Sequence, residues 1–418
     1  MGVYEASVSE DLARVLRSDP VTLRDPWPVW RELREAGPVH HSGEITIVTR
    51  FEDVRALAKD SRLSNSYHAE GARAEAIAAR LEPDELAAHK EVCAFESMYV
   101  SRTDGDEHDR LRKIMHRAFT PRRMAELTER VEQYTTTILD DCVERGECEW
   151  MSDMAVRLPM MMIAELLGVP QDEREQIRDW SGRLARNRGG ENPELLMDAH
   201  RAMAEFRSYV EEEVLPRRNE LGGSELARAF VNAAEGETLS PKETTAQFVV
   251  LLFAGFETTS TLIGAGLLEL LRHPEQWQIL VDDPGFSGTA VEELLRWVTP
   301  VQWIGRVARE DIEVGGEIIP KGRTVYPCLA TANRDPEAFV EPETFDLRRE
   351  DARKQLAFGL GPHFCLGNAL ARIEAQVVFE QLARHFPEVA LVDDDPPWGS
   401  NAMLRGIQRL PVILGPKH

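Results

Sequence analysis

Helical periodicity is the dominant arrangement of apolar and polar positions along this chain. Apolar residues recur at three- and four-residue intervals over long stretches, a spacing that places them on one face of an α-helix. The helices predicted in this way cover residues 26–36, 51–59, 70–80, 106–119, 123–145, 153–167, 172–188, 194–218, 241–272, 290–298 and 366–385.

Strand-like patterns occupy much less of the chain. Residues 40–49 and 301–326 are rich in β-branched and aromatic residues, and the tail from residue 389 has strand and turn character. Apart from its helical piece, 60–100 is expected to be irregular, as is the proline-rich stretch 334–355. Because strands and helices do not alternate, we predict a mainly α protein with a small β region, organised as one domain over residues 1–418.

The longest predicted helix has a well-marked start and an unusual middle. Ser240 at the N-cap, Pro241 at the first position and Glu243 two residues later form a capping box. A helix of this length is expected to cross the centre of the fold. Its interior sequence A-G-F-E-T-T, residues 254–259, favours local opening of the helix, since a threonine hydroxyl can bond back to a carbonyl one turn earlier. Glu257 and Thr258 are then candidates for proton relay, and the alternative is that Glu257 faces solvent.

The segment F-G-L-G-P-H-F-C-L-G, residues 358–367, is a glycine-rich loop with one cysteine just before a helix. A thiol at a helix N-terminus meets the positive end of the helix dipole, which favours the thiolate. A thiolate in a glycine-lined loop can ligate haem iron, because glycine lets the backbone approach the flat macrocycle. The alternative for Cys365 is a small buried hydrophobic residue.

Composition narrows the class of protein. The 418 residues carry a net charge of −23, which argues against nucleic acid as a partner. Five cysteines without C-x-x-C or zinc-site spacing fit a reducing compartment. Neither a signal peptide nor an unbroken membrane-spanning run is evident, so we expect a cytoplasmic protein that does not bind membranes.

Taken together, the motifs resemble the cytochrome P450 family of soluble bacterial haem-thiolate monooxygenases. The loop 358–367 matches the pattern F-G-x-G-x-H-x-C-x-G, and residues 254–259 resemble the oxygen-activation motif A/G-G-x-D/E-T-T/S. The resemblance implies the P450 fold, with haem b between the long helix and the helix after Cys365. It also implies that Cys365 ligates the iron, that Phe358 and Gly367 contact the cofactor, and that Glu257 and Thr258 manage protons.

The same resemblance assigns the haem propionates. E-H-D-R-L-R, residues 107–112, is similar to the E-H-x-R-L-R helix of the family, which points to His108 and Arg112. Arg306 lies in a strand similar to R-x-A-x-E-D, and His363 precedes the cysteine by two positions. The D-P-P that usually comes before the helix is replaced by T-D-G-D at residues 103–106, which relaxes the entry turn.

The E-x-x-R motif of the family is present as Glu293 and Arg296, three apart on one helix face. The family's third member is commonly an arginine in a P-E/D-R-F segment, and this chain has P-E-T-F at residues 342–345. Arg334, Arg348 and Arg349 are all candidates to substitute.

Substrate-contacting positions are mapped only by their place near these motifs. At Trp303 a large aromatic residue suggests a narrowed or stacking pocket. The candidates for an apolar small-molecule pocket are Met98, Leu252, Phe253, Phe256, Val301, Trp303, Ile304 and Met403.

The implied activity is insertion of one atom of dioxygen into a small organic substrate, by hydroxylation or epoxidation, in bacterial secondary metabolism. Electrons are expected from NAD(P)H through a separate ferredoxin reductase and ferredoxin. Five cations form the expected ferredoxin-docking patch, namely Arg110, Lys113, Arg117, Arg122 and Arg123. The alternatives are oxidative coupling, decarboxylation or peroxide-driven chemistry, and a haem-binding sensor without turnover.

Overall fold

A computed structural model describes residues 3–117, 119–187, 192–214, 216 and 239–418. The N-terminal third contains helices α1 (Val3–Leu16), α2 (Pro20–Arg24), α3 (Trp27–Ala36), α4 (Phe51–Leu57), α5 (Gly71–Ala78), α6 (Pro83–Glu96), α7 (Gly105–His116) and α8 (Pro121–Arg145). The next helices are α9 (Arg157–Leu167), α10 (Arg174–Arg186), α11 (Pro193–Tyr209), α12 (Pro241–Arg272), α13 (Pro274–Asp282), α14 (Ser287–Val298), α15 (Leu329–Ala332) and α16 (Asn368–His385). One-turn π-helices occupy Met151–Ala155 and Val210–Val214.

The sheets are short and lie at the margin of the helical body. The strands are β1 (Val39–Ser42), β2 (Ile45–Val48), β3 (Leu63–Ser64), β4 (Cys148–Glu149), β5 (Arg306–Ala308), β6 (Ile312–Val314), β7 (Glu317–Ile319), β8 (Thr324–Pro327), β9 (Ala390–Leu391) and β10 (Pro411–Ile413). Five strands form a sheet in the order β1-β2-β8-β5-β3, three form β4-β10-β9, and β6 pairs with β7. Only the β2–β8 pair is parallel among these pairs.

Helix α12 is the central element, as the capping pattern predicts. The Ser240 hydroxyl accepts from the Glu243 N–H at 3.2 Å, and the Glu243 carboxylate accepts from the Ser240 N–H at 2.6 Å. Its 32 residues span about 48 Å at the usual rise per residue. Most of its residues are buried, and many of its apolar side chains belong to one large hydrophobic cluster shared with α8, α9, α11, α14 and α16.

Close packing around α12 depends on its glycines. A Cβ atom on Gly255 would lie 2.7 Å from the Ile163 side chain of α9, and one on Gly264 would lie 2.2 Å from the Met151 sulfur. The helix runs without a break through residues 254–259. The opening expected from the sequence is therefore not observed, and Gly255 serves the contact with α9 instead.

Several elements differ from the sequence-based expectation. Helices α1, α2, α6 and α13 were not predicted, and α6 falls in a region expected to be irregular. The predicted helix 194–218 is confirmed as far as Tyr209 and continues as a π-helix to Val214, while most of its end lies outside the described residues. The prediction of a mainly α fold with a small β region is confirmed.

Candidate functional site

The cysteine loop is shaped by two residues with left-handed backbone. Gly359 and Gly361 have φ angles of +67° and +74°, which disfavour any residue with a Cβ atom. At Gly361 a Cβ would also approach the Ala58 carbonyl oxygen to 3.1 Å. The Cys365 N–H donates to the Phe358 carbonyl at 2.9 Å and closes the loop just before α16 begins. The loop therefore holds the thiol in one position against α16.

Electrostatics at Cys365 combine opposing effects. The surrounding protein buries the thiol deeply, although part of its surface remains accessible, and this burial raises the pKa of Cys365. A hydrogen bond from the Gly367 N–H and the charges of Arg112 and Arg372 lower the same pKa. Burial outweighs them, so the helix start alone does not produce the thiolate expected from the sequence. Arg112 also anchors the loop by donating to the Phe364 carbonyl at 2.6 Å.

Two histidines predicted from separate motifs meet beside the loop. The rings of His108, on α7, and His363 lie 4.0 Å apart between centroids. Burial and the neighbouring charges of His108 and Arg306 lower the pKa of His363 to about 3. Asn65 follows β3, and its amide nitrogen lies 2.8 Å from His363 Nε2. The sequence reasoning did not identify Asn65, whose only signal is its position next to a short strand.

The buried cations around these histidines fit an anionic cofactor. The Arg306 side chain donates to the Gly305 carbonyl at 2.7 Å, and it forms no ion pair with a carboxylate of the described chain. Burial lowers its pKa to about 10. The buried His108 Nε2 has no hydrogen-bond partner among the described residues. The Arg306 guanidinium lacks a carboxylate partner, and the His108 imidazole lacks a partner for Nε2. The two propionate groups of haem would supply these missing hydrogen-bond acceptors.

The departure from D-P-P before α7 has a structural role. Gly105 adopts a left-handed φ of +57°, and Asp104 at the N-cap accepts from the Ser64 hydroxyl at 2.9 Å and from the Asn65 amide at 2.6 Å. Arg309 lies 3.3 Å from the same carboxylate. Asp104 therefore links the start of α7, which carries His108, to the edge strand β3. Asn65, which contacts His363, follows that strand.

One stripe of α12 remains accessible in an otherwise buried helix. Ala254 is exposed, whereas Leu251, Glu257 and Thr258 are half-buried. The Thr258 hydroxyl donates to the Ala254 carbonyl at 3.1 Å, as expected for a threonine in a helix. Positions separated by three and four residues share a face, so this stripe is the side of α12 that can meet a ligand.

Two residues proposed for the substrate pocket lie on the opposite side of α12. Leu252 is 0% exposed and Phe256 is 6% exposed, and both belong to the large hydrophobic cluster. This placement does not support their assignment to the pocket, because the helical rotation of about 100° per residue turns them away from the accessible stripe. Phe253 stays half-buried at the edge of that stripe.

Trp303 also packs within the core. Its ring stacks on Tyr326 at 5.7 Å and meets Trp30 edge-on at 6.0 Å. All three side chains belong to the cluster between the N-terminal helices and the five-stranded sheet. One face of the Trp303 ring is thus already occupied by Tyr326. Its neighbours Val301 and Ile304 remain half-buried, as does Met403.

The loop before α7 is clamped to α12 by a buried glutamine. Gln247 donates from its amide nitrogen to the Met98 carbonyl at 2.6 Å, and its amide oxygen accepts from the Val100 N–H at 3.0 Å. Gln247 is 0% exposed and lies two turns before Ala254. Met98 itself is half-buried. A polar residue in an apolar stretch of a central helix was the signal that the sequence reasoning missed.

The ion pair of the E-x-x-R motif is fully buried. Arg296 donates from Nε and from one terminal nitrogen to the two carboxylate oxygens of Glu293, both at 2.7 Å. Arg349 is the third member, since its Nε lies 3.2 Å from Glu293 and its terminal nitrogen donates to the Thr344 carbonyl at 2.8 Å. Thr344 therefore contributes a backbone carbonyl where the family pattern has an arginine.

The other two candidates for the third member lie elsewhere. Arg334 is sandwiched between the rings of Trp27 and Trp297, at 3.4 and 3.7 Å from their centroids, and pairs with Glu343. Burial lowers the pKa of Arg334 to about 9. Arg348 is exposed.

Most of the expected docking cations have acidic partners. Arg110 pairs with Glu107 at 2.7 Å and with Glu243 of the α12 capping box. Arg122 and Arg123 share one carboxylate, that of Glu126, at 3.2 and 3.0 Å. The exposed cation best placed on α7 is Lys113, and Arg117 at its end is half-buried.

One helix of the described chain, α12, is long and apolar enough to cross a membrane. Its most apolar window is 67% buried inside the protein. Burial at the centre of the fold therefore accounts for its composition.

Comparison with known proteins gives one consistent result. The family model described as Cytochrome P450 matches residues 192–280 and 288–409. The polyketide biosynthesis cytochrome P450 PksS of Bacillus subtilis is 34% identical over 402 residues, covering 93% of this chain and 96% of the relative. The 6-deoxyerythronolide B hydroxylase of Saccharopolyspora erythraea is 35% identical over 405 residues, with 93% and 96% coverage.

Solved structures share the same architecture. The cytochrome P450 enzyme CxnD, described as acting in C–S bond formation in chuangxinmycin biosynthesis, superposes with a TM-score of 0.83 at 31% identity. The match covers 94% of this chain and 95% of CxnD.

Proposed function

Because the chain belongs to the cytochrome P450 family, we propose that it inserts one atom of dioxygen into a C–H bond or an alkene of an apolar small molecule. The observation that carries this proposal is a pair of incompletely satisfied groups buried beside the Cys365 loop. Arg306 has no carboxylate partner in the described chain, and His108 Nε2 has no hydrogen-bond partner there, although His108 Nδ1 lies 3.1 Å from Asp109. Arg306 and His108 are costly to bury in this state unless an anionic ligand completes them.

Seven residues are proposed to hold haem b. Cys365 would ligate the haem iron, and coordination of a metal ion deprotonates a thiol outright, which would offset the effect of burial. Phe358 and Gly367 flank the thiol, and Arg372 stacks over the Phe358 ring at 4.4 Å. The propionate ligands are His108, Arg112, Arg306 and His363. Haem, when bound, supplies the iron at which dioxygen is activated.

Glu257 and Thr258 are proposed to deliver protons on the accessible stripe of α12. The Thr258 hydroxyl holds its own proton toward the Ala254 carbonyl in the resting protein. Rotation about one side-chain bond releases that hydroxyl toward the ligand side, where it can donate. Glu257 is adjacent and half-buried, which suits a carboxylate that takes protons from solvent and passes them inward.

Electrons are proposed to come from NAD(P)H through a ferredoxin reductase and an acidic ferredoxin in the cytoplasm. Lys113 on α7 supports this assignment, because it is exposed on the helix that also carries His108 and Arg112. The proposed docking patch is Arg110, Lys113, Arg117, Arg122 and Arg123. Within it Lys113 is exposed, whereas acidic neighbours partly neutralise Arg110, Arg122 and Arg123.

The substrate class is proposed from relatives and from the shape of α12. PksS and the 6-deoxyerythronolide B hydroxylase are both associated by name with polyketide-type molecules. The exposed Ala254 and the half-buried Leu251, Phe253 and Met98 offer an apolar lining suited to such molecules. We propose an apolar product of bacterial secondary metabolism as substrate.

Oxidative coupling is the second candidate function. The likeness to CxnD, an enzyme described as forming a C–S bond, favours it specifically. Turnover of a candidate substrate under ¹⁸O-labelled dioxygen separates the two functions by mass spectrometry. One labelled oxygen atom in the product supports monooxygenation, whereas an unlabelled, newly bonded product supports coupling.

The site itself is tested first by a carbon monoxide difference spectrum of the reduced protein. A Soret band at the red-shifted position typical of thiolate ligation is expected. Cys365→His should retain haem and lose the shift. Purified protein that binds no haem, or an unchanged band in Cys365→His, would contradict the proposed ligand.

A further inference from the structure

Two cysteines outside the haem site come together where α8 ends. Cys142 lies in the last turn of α8 and Cys148 begins β4, six residues later. The two Sγ atoms and a carboxylate oxygen of Asp153 all lie within 4.8 Å of one another. The two cysteine side chains are 1% and 4% exposed. Two thiols this close can react with each other without a large movement of the backbone.

The position of Arg145 bears on whether this cluster favours thiolate chemistry or metal binding. One terminal nitrogen of its guanidinium lies 3.5 Å from Cys142 Sγ and 2.7 Å from the Asp153 carboxylate. Asp153 also accepts from the Glu149 N–H at 2.9 Å. The carboxylate that a divalent metal ion would need is thus already bound by a cation and an amide. The same guanidinium stabilises negative charge on sulfur, so the cluster favours thiolate chemistry over metal binding.

The two thiols have different properties. A hydrogen bond from Cys148 lowers the pKa of the Cys142 thiol, and the charge of Arg145 acts in the same direction. That hydrogen bond and burial raise the pKa of Cys148. Because the Arg145 guanidinium lies 3.5 Å from its sulfur, Cys142 is the better placed of the two to react as a thiolate. Elsewhere in the chain, burial raises the pKa of Cys328 to about 11 and that of Cys93 to about 12.

We propose that Cys142 and Cys148 form a peroxide-sensitive dithiol that closes to an intramolecular disulfide. The Cys142 thiolate attacks one oxygen of hydrogen peroxide, the O–O bond breaks, and the departing hydroxide takes a proton to give water. Cys148 sulfur then attacks the resulting sulfenic acid of Cys142. The S–O bond breaks, and hydroxide leaves with the Cys148 proton as a second water. Two thiols have lost two electrons in total, and one peroxide has gained them.

The disulfide would add a short covalent cross-link between the end of α8 and β4, which the chain already joins through residues 146–147. Cys148 belongs to β4, which pairs with β10 near the C-terminus, and the Trp150 N–H donates to the Leu410 carbonyl at 2.9 Å. Closure would therefore fix the end of the long helix α8 to the three-stranded sheet. The step needs neither haem nor substrate, so its test is independent of the proposed function.

Peptide mapping tests the proposal on the full-length holoenzyme without reductase. Samples treated with hydrogen peroxide are alkylated and digested with trypsin, which cuts after Arg145, between the two cysteines. A disulfide-linked pair of peptides 131–145 and 146–157 is expected, and dithiothreitol should separate it. Cys93 and Cys328 should stay alkylated. Failure to form the linked pair while Cys142 and Cys148 remain as alkylatable as Cys328 overturns the proposal.

Two variants separate the roles of the thiols. Cys148→Ala should stop the reaction at the Cys142 sulfenic acid, which dimedone labels. Arg145→Gln should slow oxidation several-fold because it removes the cation beside Cys142. In that variant both cysteines fall in one peptide, 131–157, whose mass should drop by two hydrogens on oxidation. Arg201→Gln, at an exposed position on α11, is the matched control and should oxidise at the unaltered rate.

A metal site is the competing outcome. Zinc added to the reduced protein is the probe, and thiol alkylation with and without it is the measurement. Protection of Cys142 and Cys148 by one equivalent of zinc, without a peroxide-dependent link, would replace the redox pair with a metal site. Unchanged alkylation in zinc, together with the linked peptides in peroxide, supports the proposal.

Discussion

At the scale of single residues, burial disfavours the charged forms of the site's ionisable groups, and nearby polar groups act against it. Cys365 is disfavoured as a thiolate by the protein around it, and Arg112, Arg372 and the Gly367 N–H reduce that penalty without removing it. Iron bound at this site would favour the thiolate and offset the remaining penalty. The same argument applies to Arg306, whose charge lacks a carboxylate partner in the described chain.

Thr258→Val tests the proposed proton delivery. The substitution keeps the branched shape and removes the hydroxyl, so electrons should be diverted from product to hydrogen peroxide, with coupling reduced several-fold. NADPH consumed, product formed and peroxide released are measured together with surrogate redox partners. Thr259→Val is the control, because Thr259 is 4% exposed and its hydroxyl faces the Gly255 carbonyl. Equal coupling in the two variants would exclude a special role for Thr258.

A second residue-scale prediction concerns the ion triad. Arg349→Met should lower the free energy of unfolding by about 3–5 kcal/mol, the range for removing one partner of a buried ion pair. Urea denaturation followed by far-UV circular dichroism measures it. Arg348→Met is the matched control, since Arg348 is exposed and one position away. If both variants unfold at the same urea concentration, Arg349 is not the third member.

At the scale of elements, sequence reasoning succeeded where a local signal was complete. The start of α12 followed from Ser240, Pro241 and Glu243, and these residues form the capping box observed. Helix α6 was missed although Pro83 and Glu85 follow the same logic, because its N-cap is Glu82 and not serine or threonine. Apolar spacing also could not show which face of α12 is accessible, since Leu252 and Phe256 are as apolar as Leu251.

Helix α16, which follows the cysteine loop, contains a buried acid that makes stability depend on pH. Glu374 is 1% exposed, and burial holds its pKa well above the usual 4.5. The folded protein therefore keeps a proton that the unfolded chain releases near its ordinary pKa. The free energy of unfolding therefore contains a contribution from the protonated Glu374 carboxyl. This contribution is fully present below the pKa of the unfolded chain, and it is lost as the pH rises toward the raised pKa of the folded protein.

Glu374→Gln should remove this pH dependence. The variant should gain stability relative to the natural protein as pH rises, by about 1–3 kcal/mol at neutral pH, and should differ little in acid. Urea midpoints at about pH 5 and about pH 8 measure the difference. Glu380→Gln on the same helix is the control, because Glu380 already pairs with Arg384 at 2.8 Å. A constant difference at both pH values would contradict the linkage.

At the scale of the whole molecule, distant parts of the sequence had to be brought together before the site could be understood. The motifs identified Glu293, Arg296, His108 and His363 individually, and folding confirmed that the pairs meet. Arg349 could not be chosen over Arg334 or Arg348, because its contact with Glu293 spans 56 positions. Likewise, the packing of Trp303 against Trp30 could not be foreseen, because Trp30 lies in an N-terminal helix far away in sequence.

The net charge of −23 makes electrostatic steering a property of the whole molecule. An acidic ferredoxin should be repelled by most of this surface, so the exposed Lys113 should matter for encounter. Lys113→Glu should raise the apparent Michaelis constant for ferredoxin about 3–10-fold at low salt, and added salt should reduce the difference. Steady-state turnover against ferredoxin concentration measures this effect. Arg201→Glu has the same charge change on α11, and an equal response there would indicate a general charge effect.

The two faces of α12 differ in how freely their residues can change to alter substrate selectivity. On one face, Gly255 and Phe256 are confined by neighbouring helices, so replacements there endanger the fold before they alter selectivity. On the other, Leu251, Phe253 and Ala254 retain accessible surface. Selection can therefore explore new molecules through those three positions while the scaffold stays intact, and a focused mutant library gains most by starting there.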